Sequence, residues 1–380
     1  MTATAGGGGG VALARSIARS SRPAGSESER RARAECADYL VSRGFRVIEQ
    51  PFEYSPLVGK WATPVAGGCI SICALWAAVA VVSQQDGRAQ LLTALPMLVA
   101  LALALASKHA IGSGPPRKGV NLVAERGVPG IWLVAHLDTK GQPVPLLTRA
   151  VGVVLVAVGW LVTLGGWIVH EFDRMGAIET LLVGLLVAAV GGLPLAASVV
   201  LDRGTGALDN ASGIACIFEA IDQLDPDFSV GVVVTTAEEL ALAGARAWAA
   251  GRPPGIALNC DGVDDEGAVL CVVGRDRTGR LRRAIGRAEG ATGTRVQVRR
   301  SLPGVLFDSV ALADAGWDTM TVTRGTLRSL ARVHTPDDTL AAWQGTGVAG
   351  VAAFLAATAG AIVAEQHKAQ HGDHPARREE

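Results

Sequence analysis

The stretch WLVAHLDTKG at residues 132–141 leads from a buried strand to a pair of ionisable side chains. Four apolar residues precede His136, Asp138 follows two positions later, and the Thr-Lys-Gly after it predicts a turn. Because side chains two residues apart on a strand project from the same face, His136 and Asp138 are expected to lie side by side. The pattern predicts a functional site where this strand ends, shortly before a long apolar run begins at residue 151.

The composition of the 380-residue chain lies between that of a soluble enzyme and that of a membrane protein. It is 49% hydrophobic and 18% charged, with a mean hydropathy of +0.32, which is more apolar than an ordinary soluble domain. The formal net charge is zero, so the charge does not favour nucleic acid as a partner. Six cysteines form no CxxC pair and no disulfide framework, which favours reduced, buried side chains.

Four long apolar runs without charged side chains predict membrane-spanning helices. They cover residues 65–83, 91–107, 151–169 and 180–201. Each is close to the ~20 residues that span a bilayer. One such run could be a buried core helix, but four runs paired by short polar loops favour two transmembrane hairpins, at residues 61–110 and 149–202. A charge at the bilayer centre costs about 2.5–3.5 kcal/mol on insertion scales, which accounts for the lack of charges.

The distribution of lysine and arginine predicts a multi-pass protein of the cell membrane with a cytoplasmic domain. The basic residues on the side shared by both termini are Lys60, Lys108, Lys140, Arg149 and Arg203, whereas the hairpin loops carry only Arg88 and Arg174. By the positive-inside rule, both termini and every polar segment between the hairpins lie in the cytoplasm. The N-terminus is glycine-rich and then basic, so no cleaved signal peptide is expected.

The remaining segments predict one α/β domain that the two hairpins interrupt. Ser26-x-x-Glu29 is a capping-box pattern for a helix that ends near Gly44. Strands are predicted at residues 45–54, 119–125, 130–136, 230–236, 255–260, 268–273, 295–300 and 319–323, and further helices at 211–224, 241–250, 278–289 and 344–365. This order predicts a mixed β-sheet flanked by helices, formed by residues 26–60, 111–148 and 203–366. Residues 1–25 and 367–380 are expected to be disordered.

Ionisable side chains recur where the predicted strands end. They are His136 and Asp138, Asp209 in the sequence GALDNASG, the pair Glu238-Glu239, Asp261, and His334 in the sequence VHTPDDT. Each alone has an ordinary structural interpretation, as a core histidine, a helix cap or a turn residue. Together they lie mostly at the carboxyl ends of strands, which is where open α/β sheets bind ligands.

The ordered set HxD, DNxSG, EE, a strand-ending Asp and HTPxDT resembles the M28 family of zinc aminopeptidases. The resemblance spans residues 136–339, and the order of strands and helices around the motifs fits it. It implies a zinc-exopeptidase-like fold, which the hairpins interrupt here. It also implies a dizinc peptidase that hydrolyses N-terminal peptide bonds with a metal-bridging hydroxide, so that the partner is the N-terminus of a peptide or protein.

The resemblance also implies a role for each matching residue. His136, Asp209 and Asp261 would bind one zinc ion, and Asp209, Glu239 and His334 would bind the other, with Asp209 shared. Histidine and carboxylate ligands suit zinc, although cobalt or manganese could use the same ligands. Glu238 would be the general base, and Asp138 would orient the ring of His136.

Two departures from the family leave substrate recognition open. The chain has Phe307-Asp308-Ser309 where the family often shows Ser-Asp-His, and its only tyrosines, Tyr39 and Tyr54, come too early to stabilise the oxyanion. Arg299, Arg300, Asp308 and Ser309 are candidates for lining the substrate pocket. Two other functions remain: a catalytically silent scaffold in a membrane complex, which the complete ligand set disfavours, and a single-zinc acyl-transfer enzyme such as a cyclase.

Connectivity predicts where the hairpins lie relative to the metal site. If the strands at 45–54, 119–125 and 130–136 form an antiparallel meander, both hairpins leave the sheet at the edge that carries the metal ligands. The active site would then face the cytoplasmic surface of the bilayer. The substrate expected from this arrangement is a membrane-associated peptide or protein N-terminus.

Overall fold

An eight-stranded mixed β-sheet forms the centre of the fold in the computed structural model, which describes residues 9–108, 116–300 and 305–371. The strands are β1 (Arg46–Tyr54), β2 (Arg117–Arg126), β3 (Ile131–His136), β4 (Val230–Thr235), β5 (Ile256–Val263), β6 (Ala268–Arg275), β7 (Val296–Arg299) and β8 (Asp318–Gly325). Segments before, between and after the apolar hairpins all contribute strands to this one sheet. The predicted mixed sheet is therefore confirmed, with strand ends shifted by a few residues.

Helices surround the sheet and form the two hairpins. They are α1 (Gly9–Ile17), α2 (Glu27–Val41), α3 (Pro56–Val82), α4 (Asp86–Lys108), α5 (Leu146–His170), α6 (Arg174–Ala196), α7 (Ser212–Asp222), α8 (Ala243–Ala249), α9 (Arg280–Thr292), α10 (Asp308–Asp314), α11 (Leu327–Arg332) and α12 (Val348–His371). One face of the sheet packs against α7, α9 and α12, and the other packs against α8 and α10. The core of that second face includes three tryptophans, Trp132, Trp248 and Trp317.

The strand order is β1-β2-β4-β3-β5-β8-β6-β7, so the predicted meander of β1, β2 and β3 is wrong. Strand β4 lies between β2 and β3, antiparallel to the first and parallel to the second. The physical reason lies in β3, whose six residues are all buried. A strand that is apolar on both faces suits a position between parallel neighbours in a sheet covered on both sides.

The conclusion drawn from the meander survives this correction. Strand β1 is antiparallel to β2, which is antiparallel to β4, so β1 runs in the same direction as β3 and β4. The ends of β1 and β3 and the start of β2 therefore share one edge. Helix α3 follows β1 and α5 follows β3, so both hairpins leave the sheet at this edge.

The N-terminal segment is ordered from residue 9, so the expected disorder over residues 1–25 is wrong for residues 9–25. Helix α1 packs against α7, and the backbone N–H of Gly10 donates to Glu219 Oε1 at 2.9 Å. Four residues of α1 at helical spacing are buried, namely Gly10, Val11, Ala14 and Ile17. The expectation of disorder rested on the glycine-rich and basic composition, which does not register this spacing. Residues 1–8 lie outside the described residues.

Two further helix ends differ from the sequence expectation. Ser26 caps α2 through a 3.1 Å bond from the N–H of Glu29, but the Glu29 carboxylate accepts from the N–H of Gly25 rather than from Ser26. At the other end of the chain, α12 continues to His371. The expected disorder over residues 367–380 is therefore wrong up to that residue, and residues 372–380 lie outside the described part.

The hairpin helices pack into one four-helix bundle through small residues. Helix α6 contacts both α5 and α3, and α3 contacts α4. A Cβ on Gly159 of α5 would lie 2.5 Å from the backbone nitrogen of Ala188, and a Cβ on Gly67 of α3 would lie 2.3 Å from that of Ala196. Ser71 Oγ also donates to Ala189 O across this interface at 2.8 Å. Such close backbone contact is typical of helix packing in membranes.

Among the described residues, five helices are long and apolar enough to cross a membrane: α3, α4, α5, α6 and α12. The bundle helices expose large apolar side chains, as Leu98 of α4 and Leu161 of α5 show, at 64% and 70% exposure. In α12, by contrast, Phe354 and Leu355 are fully buried against the sheet domain. Helix α12 is therefore a core helix of the domain, whereas α3–α6 present an apolar surface.

Candidate active site

The ionisable residues of the five motifs meet at the carboxyl edge of the parallel strands β3, β4, β5 and β8. They are His136 at the end of β3, Asp209 before α7, Glu238 and Glu239 after β4, Asp261 near the end of β5, and His334 after α11. Each of them is at most 9% exposed. The expectation of a site at the strand ends is met, because parallel strands bring their carboxyl ends to one edge.

Asp209 lies between the two histidines and turns one carboxylate oxygen toward each. Its Oδ1 is 3.0 Å from His136 Nε2, and its Oδ2 is 2.7 Å from His334 Nε2. His334 Nε2 also lies 3.0 Å from Glu239 Oε1, and His136 Nε2 lies 3.7 Å from Asp261 Oδ2. Asp209 thus lies between a donor atom of His136 and a donor atom of His334.

Glu238 lies beside the first of these groups. One donor atom from each of His136, Glu238 and Asp261 lies within 4.8 Å of the others, as do donor atoms of Asp209, Glu239 and His334. Burial raises the pKa of Glu238 well above its ordinary value; His136 opposes the shift, and the carboxylates of Glu239 and Asp261 add to it. Glu238 is therefore a buried carboxylate in direct proximity to His136 and Asp261.

The residues of the two donor groups fit divalent metal ions. Buried carboxylates are costly unless cations compensate them, and four of them converge here. Glu239 Oε1 and His334 Nδ1 are buried and make no hydrogen bond. Imidazole and carboxylate donors are those that zinc prefers when a site keeps an open position. The chemistry of the donor set therefore supports zinc.

Lys140 makes an ion pair inside the site that the sequence did not indicate. Its Nζ lies 2.5 Å from Glu239 Oε2. Burial alone would raise the pKa of Glu239, but His334 and Lys140 lower it to about 2. The ion pair leaves Glu239 Oε1 facing His334. In the sequence, Lys140 contributed only to the positive-inside pattern; its position directly after HxDT is the signal that could have linked it to the site.

The expected role of Asp138 needs correction. His136 Nδ1 lies 3.0 Å from the backbone carbonyl oxygen of Asp138 and 3.7 Å from its carboxylate. The carboxylate instead accepts from the backbone N–H groups of Glu238 and Glu239, at 3.1 and 3.3 Å. The backbone of Asp138 therefore orients the histidine, while its side chain anchors the loop that carries the two glutamates.

Polar residues of the other motifs fix the loop of Asp209, whose peptide bond to Asn210 is cis. Asp338 accepts from the backbone N–H groups of Leu208 and Asp209, at 2.6 and 3.0 Å. Asn210 Nδ2 donates to the carbonyl oxygen of Cys260, next to Asp261, at 3.0 Å. Hydrogen bonds thus connect the DNxSG motif both to the HTPxDT motif and to the end of β5.

Arg22 joins the N-terminal segment to two loops of the site, although sequence reasoning placed it in a disordered region. Its side chain is fully buried. The guanidinium donates to the carbonyl oxygens of Leu137, Thr205 and Gly206, at 2.9, 2.6 and 3.0 Å. Arg22 therefore positions the segments that lead into Asp138 and Asp209.

Several residues near the ligands have positive φ without being glycine. They are Ala237, Ala241, Leu242 and His334, with φ between 54° and 69°. A side chain in this region strains the backbone, and such strain concentrates at functional sites. Helix α3 packs closely against the loop that carries Glu238 and Glu239, because a Cβ on Gly59 would lie 2.6 Å from Leu240 Cα. The bundle therefore directly contacts the loop of Glu238 and Glu239.

The candidates for the substrate pocket do not line it. Arg299 and Arg300 are exposed, and Asp308 is buried, where it accepts a hydrogen bond from Thr235 Oγ1 at 2.5 Å. Burial raises the pKa of Asp308 to about 7. Ser309 Oγ bonds with Thr321 Oγ1 instead, at 2.6 Å.

A cavity of about 340 Å³ opens onto the candidate metal-ligating residues, within the size range of small-molecule sites. The hairpins form one part of its wall through Val58 and Ala62 of α3, Arg149 and Val153 of α5, and Leu195 of α6. The antiparallel bridge between Gly141 and Leu201 closes the base of the second hairpin beside it. The site and the apolar bundle therefore share a cavity.

Comparison with known proteins agrees with this geometry. Residues 187–359 match the model of peptidase family M28. The matched region includes Asp209, Glu238, Glu239, Asp261 and His334, but it does not reach His136. No curated protein matches the chain.

Solved structures share the fold at low sequence identity. The structure is similar to BSAP, a zinc aminopeptidase from Bacillus subtilis, at 11% identity over 92% of this chain and 93% of that one, with a TM-score of 0.54. An aminopeptidase from Aneurinibacillus sp. strain AM-1 matches at 13% identity over 92% of both chains, with a TM-score of 0.52. A glutaminyl cyclase from Fimbriiglobus ruber matches at 14% identity over 93% and 94% of the two chains, with a TM-score of 0.53.

These likenesses establish the fold, and they do not separate a peptidase from a cyclase. The chain therefore has the mixed α/β fold that zinc aminopeptidases and glutaminyl cyclases share, and its residues 187–359 match peptidase family M28.

Proposed function

We propose that this chain is a membrane-anchored dizinc peptidase of the aminopeptidase type. The observation that carries the proposal is the position of Asp209, whose two carboxylate oxygens face two different histidines, His136 and His334. A carboxylate shared in this way suits a pair of ions. Asp261 would complete the first ligand set and Glu239 the second.

The protein's own residues account for the proton transfers. Zinc bound here would act as a Lewis acid toward the scissile carbonyl and make water a stronger nucleophile at neutral pH. Glu238 is buried beside His136 and Asp261, where it would accept the proton of the attacking water and donate it to the leaving amine. The backbone N–H of Glu238 is held by Asp138, which limits the movement of this loop.

A second candidate function is glutaminyl cyclisation with a single zinc ion. The likeness to the glutaminyl cyclase from Fimbriiglobus ruber, with a TM-score of 0.53, is as close as that to the aminopeptidases. Such an enzyme would need only one of the two donor groups. A catalytically silent scaffold is disfavoured, because it has no need for buried carboxylates around a shared Asp209.

Metal content and substrate choice separate these functions. The detergent-solubilised protein and its Glu238→Gln variant would be analysed for bound metal. Both would then be assayed with aminoacyl amides, short peptides and peptides that begin with glutamine. We expect two metal ions per chain in both proteins and hydrolysis by the wild type alone. One ion with ammonia release from N-terminal glutamine would indicate a cyclase, and a metal-free protein that zinc does not activate would indicate a scaffold.

The proposed location is the cell membrane, crossed by α3–α6, with the sheet domain in the cytoplasm. Support comes from the exposed apolar side chains of the bundle and from Lys60, Lys108 and Arg203 near its cytoplasmic end. Lys140 and Arg149, which the sequence also suggested as orienting charges, line the cavity instead.

Labelling of single added cysteines tests this orientation. Phe172 in the loop between α5 and α6 and Val128 in the sheet domain are both 88% exposed. A membrane-impermeant maleimide should label Phe172→Cys in intact cells and Val128→Cys only in inverted vesicles. The reverse pattern would place the domain outside the cytoplasm.

A further inference from the structure

We propose that Arg149 binds the free C-terminal carboxylate of short apolar peptides in this cavity, and this rests on the proposed peptidase function. Arg149 lies in the first turn of α5, in the inserted hairpin and outside the region that matches the family model. It would therefore add a substrate preference that belongs to this chain.

The position of Arg149 is fixed relative to a metal-ligating residue. Its Nη1 donates to Gln142 Oε1 at 2.5 Å. The backbone N–H of Gln142 donates in turn to the carbonyl oxygen of His334 at 2.7 Å, and its side-chain amide donates to Ser198 O at 3.1 Å. These hydrogen bonds hold the guanidinium of Arg149 in one position on the cavity wall, near the candidate metal-ligating residues.

Most of the donor capacity of Arg149 is unused. Its Nε is buried and has no hydrogen-bond partner, and the ion pairs found among the described residues do not include it. Lys140, the lysine that lines the same cavity, is already paired with Glu239. Because a guanidinium presents a planar set of donors that matches a carboxylate, Arg149 is suited to bind one.

The rest of the cavity wall favours an apolar chain between the two ends of the substrate. Val58, Ala62, Val153 and Leu195 of the bundle line it together with Leu330. The volume of about 340 Å³ is near the lower end of the range for ligand sites. Arg149 lines the same cavity as Glu239 and Asp209, both candidate metal-ligating residues, so the carboxylate it binds would share that cavity with the reacting bond. These features together favour a short peptide.

The test compares a dipeptide with its amide. Hydrolysis of Leu-Leu and of Leu-Leu amide would be measured for the wild type, Arg149→Gln and Arg149→Lys in the same detergent. A charge-assisted hydrogen bond corresponds to roughly 10- to 100-fold in affinity. We expect the wild type to favour the free acid by about that factor through KM. Arg149→Gln should lose the preference because KM for the acid rises more than KM for the amide. Arg149→Lys should retain part of it.

Matched controls separate recognition from structure. Arg174→Gln removes the same charge at the far end of the hairpin, where Arg174 pairs with Asp86, and it should keep the wild-type preference. Binding of both dipeptides to the Glu238→Gln protein, measured by calorimetry, tests carboxylate recognition without hydrolysis. The preference for the acid should disappear there too when Arg149→Gln is added.

Each other outcome has a defined meaning. Equal kcat/KM for acid and amide in the wild type would overturn the role of Arg149 and leave the peptidase function standing. An equal loss on both dipeptides in Arg149→Gln would show that it only supports His334 through Gln142, and an effect seen only when phosphatidylglycerol is added would show that it binds a lipid phosphate. Failure of the metal-loaded wild type to hydrolyse either dipeptide would overturn the proposed function instead.

Discussion

Asp138 Oδ1 accepts a hydrogen bond from the backbone N–H of Glu238 at 3.1 Å. The residue that follows the zinc-ligand candidate His136 by two positions thus controls the loop of the proposed general base, a hundred residues later in the chain. This hydrogen bond connects the segment of His136 to the backbone of Glu238, the residue proposed to transfer protons.

This contact predicts the effect of Asp138→Asn. One acceptor oxygen would be replaced by an N–H₂ group facing a backbone donor, so the loop of Glu238 and Glu239 should shift. Supporting residues around metal sites typically contribute 10- to 100-fold to affinity or activity, and we expect a loss of about that size in kcat. Metal content and kcat would be measured together, with Asp337→Asn, an exposed residue, as the control. Unchanged kcat in Asp138→Asn would contradict the anchoring role.

Arg22→Met should destabilise the protein and impair the site. The buried carbonyl oxygens of Leu137, Thr205 and Gly206 would lose their donor, and an unsatisfied buried polar group costs about 1–3 kcal/mol. We expect a loss of at least roughly 3 kcal/mol in the free energy of unfolding, measured by denaturant titration. Arg19→Met, at an exposed position of the same segment, should have little effect. Equal stability of the two variants would exclude Arg22 as a structural link.

Glu29 predicts a pH dependence of stability. Burial raises the pKa of Glu29 from 4.5 to about 7, so the folded protein retains a proton that the unfolded chain releases near pH 4.5. The stabilisation is complete below that pH and is lost as the pH rises through 7. Glu29→Gln should therefore be more stable than the wild type at pH 8, by up to about 3 kcal/mol, and similar to it at pH 4.

Unfolding at the two pH values would measure this difference. The control is Glu27→Gln in the same turn of α2, whose side chain is 56% exposed. It should change stability little at either pH. A Glu29→Gln variant with the same pH profile as the wild type would show that Glu29 ionises normally in the folded protein.

A matched pair of glycines tests the packing of the hairpin bundle. A Cβ on Gly159 would lie 2.5 Å from Ala188 N, whereas a Cβ on Gly165 of the same helix would have no atom within 4 Å. Gly159→Leu should separate α5 from α6 and lower the melting temperature in detergent, since overpacking costs about 1–3 kcal/mol. Gly165→Leu should leave it unchanged. Similar melting temperatures for both variants would mean that the two helices do not pack at Gly159.

The predicted elements around the site follow from local patterns. Strand β3 is recognisable because an unbroken apolar run ends in His136 and Asp138, and the helix after Asp209 begins where an apolar period of helical type begins. The bundle helices α3–α6 are recognisable for the same reason, since their apolar runs are long and free of charge. Each of these signals lies within one contiguous segment.

The contacts that sequence reasoning missed are long-range. Arg22 lies in the stretch RSSRPAGS at residues 19–26, which has no apolar period, and its side chain is fixed because the loops of Leu137 and Gly206 supply carbonyl oxygens from distant parts of the chain. From the sequence, Lys140 was interpreted as a basic residue at the membrane boundary. In the fold it forms an ion pair with Glu239.

The sequence by itself therefore determined the order of the strands and of all helices except α1, α10 and α11, together with the identity of the residues that end the strands. These depend on side-chain chemistry and on periods of two or 3.6 residues, which are local properties. Only the tertiary structure decided that β4 lies between β2 and β3, that the Asp138 carboxylate binds the backbone of Glu238, and that Arg149 lines the same cavity as His334. Such relationships depend on which distant segments pack together, and that choice is made by the burial of the whole sheet rather than by any one segment.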